Sequence, residues 1–249
     1  MQIINIVPLG NICMEFNQPM HMYLTHMVEK YPMYVQVAKQ APGYKILDNS
    51  LIELGSAMTI DRVLDAAEKI GADEIILPDV FQDGGATLNA VDKALVEIDR
   101  RYQGKCPFKL MAVAQGTNWP NWNRCYEELM DRSEVSVIGV PKVCAKMLPG
   151  GRPEVMRRSQ CRLLEKEHHL LGLWYSASEL EQYDRPDMIR SCDTVLASFM
   201  TKHGLGASGV RPDGFTVDLE KDVIDPKALE RCAQKMYRGK KGINYGNAN

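Results

Sequence analysis

Short apolar runs punctuate the chain at intervals that suit repeated β/α units. They are IINIVPLG (3–10), YKILDNS (44–50), DEIILPD (73–79), FKLMAVAQG (108–116), VSVIGVPK (135–142), HLLGLW (169–174) and SCDTVLA (191–197). Each is too short for an ordinary helix and too continuously apolar for a strand with one wet face, which predicts strands buried on both faces of a parallel sheet. Stretches of helical periodicity lie between them. Ile60, Val63, Leu64 and Ala67 share one face of a helix over 59–70, with Thr59 as its N-cap. The same reading holds for 88–101, 119–130 and 153–165, and a shorter helix begins at Ser176.

Strand and helix in alternation imply right-handed crossovers and a parallel sheet. Seven strands are legible and an eighth is expected between Gly204 and Asp218. That number favours a closed α/β barrel, the (β/α)8 TIM type with some irregularity near its C-terminus, over an open doubly wound sheet. The 249 residues suit one such barrel over 1–238. The glycine-rich polar stretch 239–249 reads as a frayed tail. No glycine-rich dinucleotide loop follows the first strand and no Walker-type GK[ST] occurs, so no cofactor is expected.

Composition changes this picture little. With 45% hydrophobic and 25% charged residues the chain is that of a globular protein, and a net charge of −2 neither demands nor excludes a nucleic-acid partner. Seven scattered cysteines without a C-x-x-C pair read as free thiols of a reducing cytoplasm, with no metal site. No run approaches the ~20 apolar residues that cross a bilayer, and the N-terminus lacks a secretory pattern. A cytoplasmic setting and no membrane partner are expected.

Barrels of this kind place their chemistry at the C-terminal ends of the strands. Here the chain sets Asp48, Asp79, Gln115 and Lys142 after successive apolar runs, and Asp193 within SCDTV. A lone Asp in such a place is ordinarily a turn former or helix cap. Three carboxylates and a glutamine converging from separate strands outweigh that reading. Carboxylates can attack an electrophilic carbon, move protons, or accept paired N–H donors from a ligand. An Asp nucleophile suits glycosidic chemistry through an oxocarbenium-like centre, and the same three carboxylates also suit Mg²⁺.

Two basic stretches offer phosphate contacts. Lys142, Lys146, Arg152, Arg157, Arg158 and Arg162 follow one strand's functional end and are read as nucleic-acid-binding, whereas Lys227, Arg231, Lys235, Arg238, Lys240 and Lys241 read as a solvated face. Trp119 and Trp122 read as packing residues, His168 and His169 as structural, and His21 and His26 as surface or packing residues. His203 is a minor candidate for a phosphate or acid/base contact.

At these same residues the chain resembles the tRNA-guanine transglycosylase superfamily, in particular its shorter branch acting on DNA, the 7-deazaguanine DNA transglycosylases of phages and bacterial modification islands. The family's DSGGFQ motif corresponds to Asp48-Asn-Ser-Leu-Ile-Glu53, its base-reading acid to Asp79, and its GIVQGG segment to Ala112-Val-Ala-Gln-Gly116. GGLA corresponds to Leu171-Gly-Leu-Trp174 and DCVLPT to Asp193-Thr-Val-Leu-Ala-Ser198. The matches run in family order over about 44–200. The resemblance implies that Asp193 attacks C1′ of a nucleotide and expels guanine, with Asp48 as acid/base partner. It further implies that a free 7-deazaguanine, the 7-cyano form, then displaces the enzyme with retention. Asp79 would accept the base's N1–H and exocyclic amine, while Gln115, Gly116, Gly172 and Leu173 meet its O6 and ring. Duplex DNA with a flipped guanine is the implied partner, and a homodimer is allowed. A tRNA or free-nucleoside substrate and a non-catalytic nucleic-acid-binding role are the alternatives. Only Cys232 follows Asp193, so the zinc subdomain of the tRNA enzymes has no counterpart here.

Overall fold

The computed structural model describes residues 1–159, 162, 164–173, 175–212, 214 and 216–245. Eight strands build its centre: β1 (Gln2–Asn5), β2 (Met20–Leu24), β3 (Tyr44–Asp48), β4 (Glu74–Ile76), β5 (Lys109–Val113), β6 (Val137–Pro141), β7 (Glu167–Leu171) and β8 (Ser191–Thr194). All pairings are parallel, in the order β1-β8-β7-β6-β5-β4-β3-β2. The sheet thus curls until its first and second strands meet, and a ladder is missing only there. Gln18, just ahead of β2, bridges the seam with its carboxamide. Its Oε1 accepts the Asn5 N–H and its Nε2 donates to the Asn5 carbonyl, each at 2.9 Å, in the manner of a neighbouring peptide. The result is a nearly closed (β/α)8 barrel of the TIM type.

The helices are α1 (Thr25–Lys30), α2 (Pro32–Gln40), α3 (Leu51–Leu54), α4 (Ile60–Ile70), α5 (Gly84–Tyr102), α6 (Trp119–Met130), α7 (Gly151–Arg158), α8 (Leu196–Lys202) and α9 (Pro226–Tyr237). Helix α6 keeps the expected span, starting where Asn118 caps Asn121 N–H at 3.0 Å. Thr59 holds the cap position of α4 with an extended backbone, though its side chain makes no capping bond. Helix α7 stops at Arg158, short of the expected 165. The segment opened by Ser176 is a 3₁₀ turn over Ala177–Gln182.

Two expectations are corrected. The eighth strand is β2, near the N-terminus; between Gly204 and Asp218 the described chain holds no strand. The tail is not frayed over 239–245, because Asn244 exchanges backbone bonds with Met1 (2.8 Å) and Ile3 (3.0 Å) beside β1. The C-terminal basic cluster behaves as expected. Asp225 caps α9 ahead of Pro226, the helix buries Leu229, Ala233, Met236 and Tyr237, and Lys227, Arg231 and Lys235 face solvent.

Strand parity then decides what faces the barrel interior. Ile4, Met22, Ile46, Ile76, Met111, Val113 and Val137 form an apolar layer inside the strands, separate from the larger core between sheet and helices. Two residues beyond Ile46 on the same face stands Asp48, and two beyond Val113 stands Gln115. Among the described residues no helix is long and apolar enough to cross a membrane.

Candidate active site

A cavity of about 1000 Å³ opens at the C-terminal ends of the strands, lined by Asp48, Asp79, Gln115, Lys142, Gly172, Leu173 and Asp193. The three carboxylates expected to converge therefore share one space. Asp48 ends β3 and its Oδ2 accepts the Ser50 N–H at 2.7 Å, which the left-handed backbone of Ser50 (φ +61°) turns back toward it. Burial pushes the Asp48 carboxyl well above the usual range. The charges of Glu53, Asp79 and Asp193 push it further, and the Ser50 N–H offsets only part of this. Burial and the neighbouring charges both favour the protonated form of Asp48.

Asp79 is buried beside it. Its two oxygens take separate donors, Asn49 Nδ2 at 2.8 Å on Oδ1 and Gln115 Nε2 at 2.7 Å on Oδ2. Desolvation raises its pKa to about 6 against the pull of those two bonds. Asn49 also donates to the Leu77 carbonyl at 2.8 Å and accepts the Leu51 N–H at 3.0 Å, so it ties the turn after β3 to the end of β4. Gln115 spends its other end on the Gln82 N–H at 3.0 Å. It is thus a positioning residue for Asp79 as much as a wall of the cavity.

Asp193 sits on β8 with 7% of its surface exposed. Its Oδ1 accepts from Gly172 N–H and from His169 Nε2, both at 3.0 Å. The Gly172 N–H is aimed there by a left-handed turn (φ +70°) at the end of β7, where a Cβ would press on the Lys142 side chain at 3.2 Å. Leu173 clasps β8 by donating its N–H to the Asp193 carbonyl (3.1 Å) and accepting at its own carbonyl from the Thr194 hydroxyl (3.1 Å). Trp174, part of the same motif, lies outside the described residues. Lys142 stands over the site, its pKa lowered to about 8 by burial, with Asp193 and Glu53 acting in the opposite sense.

Several expected contacts are corrected. Gly116 does not line the cavity. It backs onto α6, where a Cβ would lie 2.5 Å from Trp122 N, so its smallness serves strand–helix packing. Of the six cations read as a phosphate track, Lys142 and Lys146 line the cavity, Arg152 is buried, and Arg157, Arg158 and Arg162 carry acidic partners outside it, Arg157 and Arg158 while exposed. Arg152 is fully buried, bonding Glu179 (2.7 Å) and the carbonyls of Val140, Leu171 and Gly172. Arg157 and Arg158 both pair with Glu154, the latter at 2.9 Å. Arg162 binds Glu127, Asp131 and Glu165 at the C-terminal end of α6, the face opposite the cavity.

The histidines divide. His21 is buried against Glu15 (2.7 Å) and His168 against Tyr126 (2.9 Å), both packing residues, and burial lowers His168 to about 4. His26 donates its backbone N–H to Ser50 Oγ (3.2 Å) and lines the cavity. His203 packs on Phe199 and reaches the Thr216 carbonyl at 3.3 Å, away from Asp193. His169 is the correction, since its inward parity on β7 brings it to the carboxylate on the adjacent strand. Sequence reading also missed Glu53, Phe81, Tyr175, Arg211 and Lys221 as cavity residues. Glu53 had a signal in its place five residues after Asp48; Arg211 and Lys221 lie on irregular chain, where no periodicity marks a facing side.

Among the described residues no group of three or more His, Cys, Asp or Glu side chains is arranged to hold a metal ion. A scan against protein-family models finds no match for the chain, and a search of curated proteins finds none.

Proposed function

We propose that the protein exchanges guanine in DNA for a 7-deazaguanine, of the 7-cyano kind, through a covalent Asp193–glycosyl intermediate. The observation that carries this reading is the common cavity of Asp48, Asp79 and Asp193, each in a different hydrogen-bonding environment. A flipped nucleotide presents its C1′ to Asp193. One carboxylate oxygen bonds C1′ as the C1′–N9 bond breaks, and the departing guanine takes the proton held by Asp48. The incoming base then gives its N9 proton to Asp48, bonds C1′ and frees Asp193, so two inversions retain the configuration. Asp79 reads the base. Each of its oxygens keeps a lone pair beyond those given to Asn49 and Gln115, which suits the N1–H and exocyclic amine of a guanine edge.

Asp79 accepts these donors only when ionised. With its pKa raised to about 6, kcat/KM is expected to fall by close to tenfold per pH unit below about 6 and to level off above it. A pH profile of guanine exchange by the free enzyme measures this; a flat profile from pH 5 to 7 removes Asp79 from base recognition.

The direct test is to incubate duplex DNA with the protein and 7-cyano-7-deazaguanine, digest to nucleosides, and weigh them. Deoxyribosyl 7-cyano-7-deazaguanine with an equivalent of released guanine is expected. No product from DNA, tRNA or free nucleoside overturns the reading. A free nucleoside is the second reading, favoured by the engagement of Arg152, Arg157, Arg158 and Arg162 with acids and carbonyls. Binding to DNA that weakens steeply with salt separates the two.

A further inference from the structure

We infer that His169 positions Asp193 for attack, and that its ring is held from the other end of the barrel by Ser191 and Arg190. This rests on the glycosyl transfer proposed above, and its observations are geometric. His169 lies fully buried in the middle of β7, with Nε2 at 3.0 Å from Asp193 Oδ1 and Nδ1 at 2.7 Å from Ser191 Oγ. Ser191 Oγ also receives Arg190 Nε at 3.2 Å.

Arginine can only donate. Its guanidinium is held by two bonds to the buried Glu74, at 2.6 and 2.9 Å, and Glu74 takes a further bond from the Tyr44 hydroxyl at 2.8 Å. The Ser191 oxygen accepts from Arg190 and faces His169 Nδ1 with its second lone pair and its own hydrogen. The Asp193 carboxylate can only accept, so Nε2 carries a ring hydrogen and donates it. The opposite tautomer would set a nitrogen lone pair against a carboxylate oxygen in a buried site, which costs an unmade bond and a repulsion.

Two donors, His169 Nε2 and Gly172 N–H, thus meet on Oδ1, and neither touches Oδ2. The carboxylate is fixed about its Cβ–Cγ bond, and Oδ2 is the oxygen presented to C1′. Orienting a reacting group in this way acts on the chemical step more than on ligand binding.

The test compares wild type, His169→Leu, His169→Gln and Ser191→Ala in guanine exchange. Gln can return an N–H near the place of Nε2; Leu cannot. His169→Leu is expected to lose about 100-fold in kcat with KM within about threefold, His169→Gln to recover about tenfold of that loss, and Ser191→Ala to lose about tenfold. A kcat for His169→Leu within threefold of wild type overturns the role. So does a His169→Gln enzyme no better than His169→Leu, because the loss is then one of packing. A readout independent of turnover is ¹⁵N NMR of the histidine rings in the wild-type chain. A slowly exchanging Nε2–H on His169 that is lost in Asp193→Ala supports the bond, and its absence overturns it. A wild-type protein that exchanges no base defeats the reaction proposed above, while the NMR result still decides the pairing.

Discussion

Asp193→Asn is expected to lower the rate of base exchange by about 10⁴-fold or more at saturating DNA and base, with folding and ligand binding retained. The asparagine carbonyl occupies the place of Oδ1 and accepts the same His169 and Gly172 donors, at 3.0 Å each in the native protein. What changes is the other position, where an amide nitrogen with a delocalised lone pair replaces the attacking oxygen. The loss corresponds to at least about 5 kcal/mol of barrier, and it falls on kcat because the interaction exists only in the transition state. Single-turnover exchange measures the rate, and salt-dependent titration with duplex DNA measures binding. Unchanged exchange transfers the nucleophile's role away from Asp193. Absent exchange in wild type and variant alike, with DNA binding intact, favours the non-catalytic accessory reading instead.

The parts of this site that were legible in the sequence are those fixed by position along a single strand. Asp48, Asp79 and Gln115 each close an apolar run, and a buried parallel strand turns every second side chain inward, so an acid at the end of such a run meets the barrel mouth. His169 was not legible in that way. Its contact depends on the register of β7 against β8, where His169 stands opposite Ser191, and nothing in a separation of 24 residues from Asp193 announces it. Strand β2 was hidden for a compositional reason. Its MHMYL carries no β-branched residue and runs straight into α1 with Leu24 as the cap, leaving no turn signal between them. Helix α9 was legible as the solvated helix face of the C-terminal lysines and arginines, and Asp225-Pro226 marks its start.

Arg152 shows the limit of charge counting most clearly. As a phosphate contact it would be a replaceable surface cation. Its place in the fold makes it a clamp instead: the guanidinium joins carbonyls near the ends of β6 and β7 (Val140 at 3.2 Å, Leu171 at 3.0 Å) to the Gly172 carbonyl at 2.9 Å and to Glu179 at 2.7 Å. Glu179 is held in turn by the Tyr183 hydroxyl at 2.7 Å. Arg152→Met, which keeps most of the volume, removes the guanidinium from three carbonyls and leaves Glu179 with the Tyr183 hydroxyl alone. It is expected to cost about 3–5 kcal/mol of folding stability and about 10 °C in Tm. Arg152→Lys restores the charge but not the planar fork, and recovers only part of the loss. Urea and thermal unfolding measure the change, with DNA titration of whatever remains folded as the control. A variant of native stability that binds DNA more weakly would return Arg152 to the phosphate track. The expected result has a consequence for chemistry as well, because the same Gly172 whose carbonyl Arg152 holds points its N–H at Asp193. Loosening the clamp frees that turn, so folded Arg152→Met should exchange guanine with a lowered kcat at an almost unchanged KM.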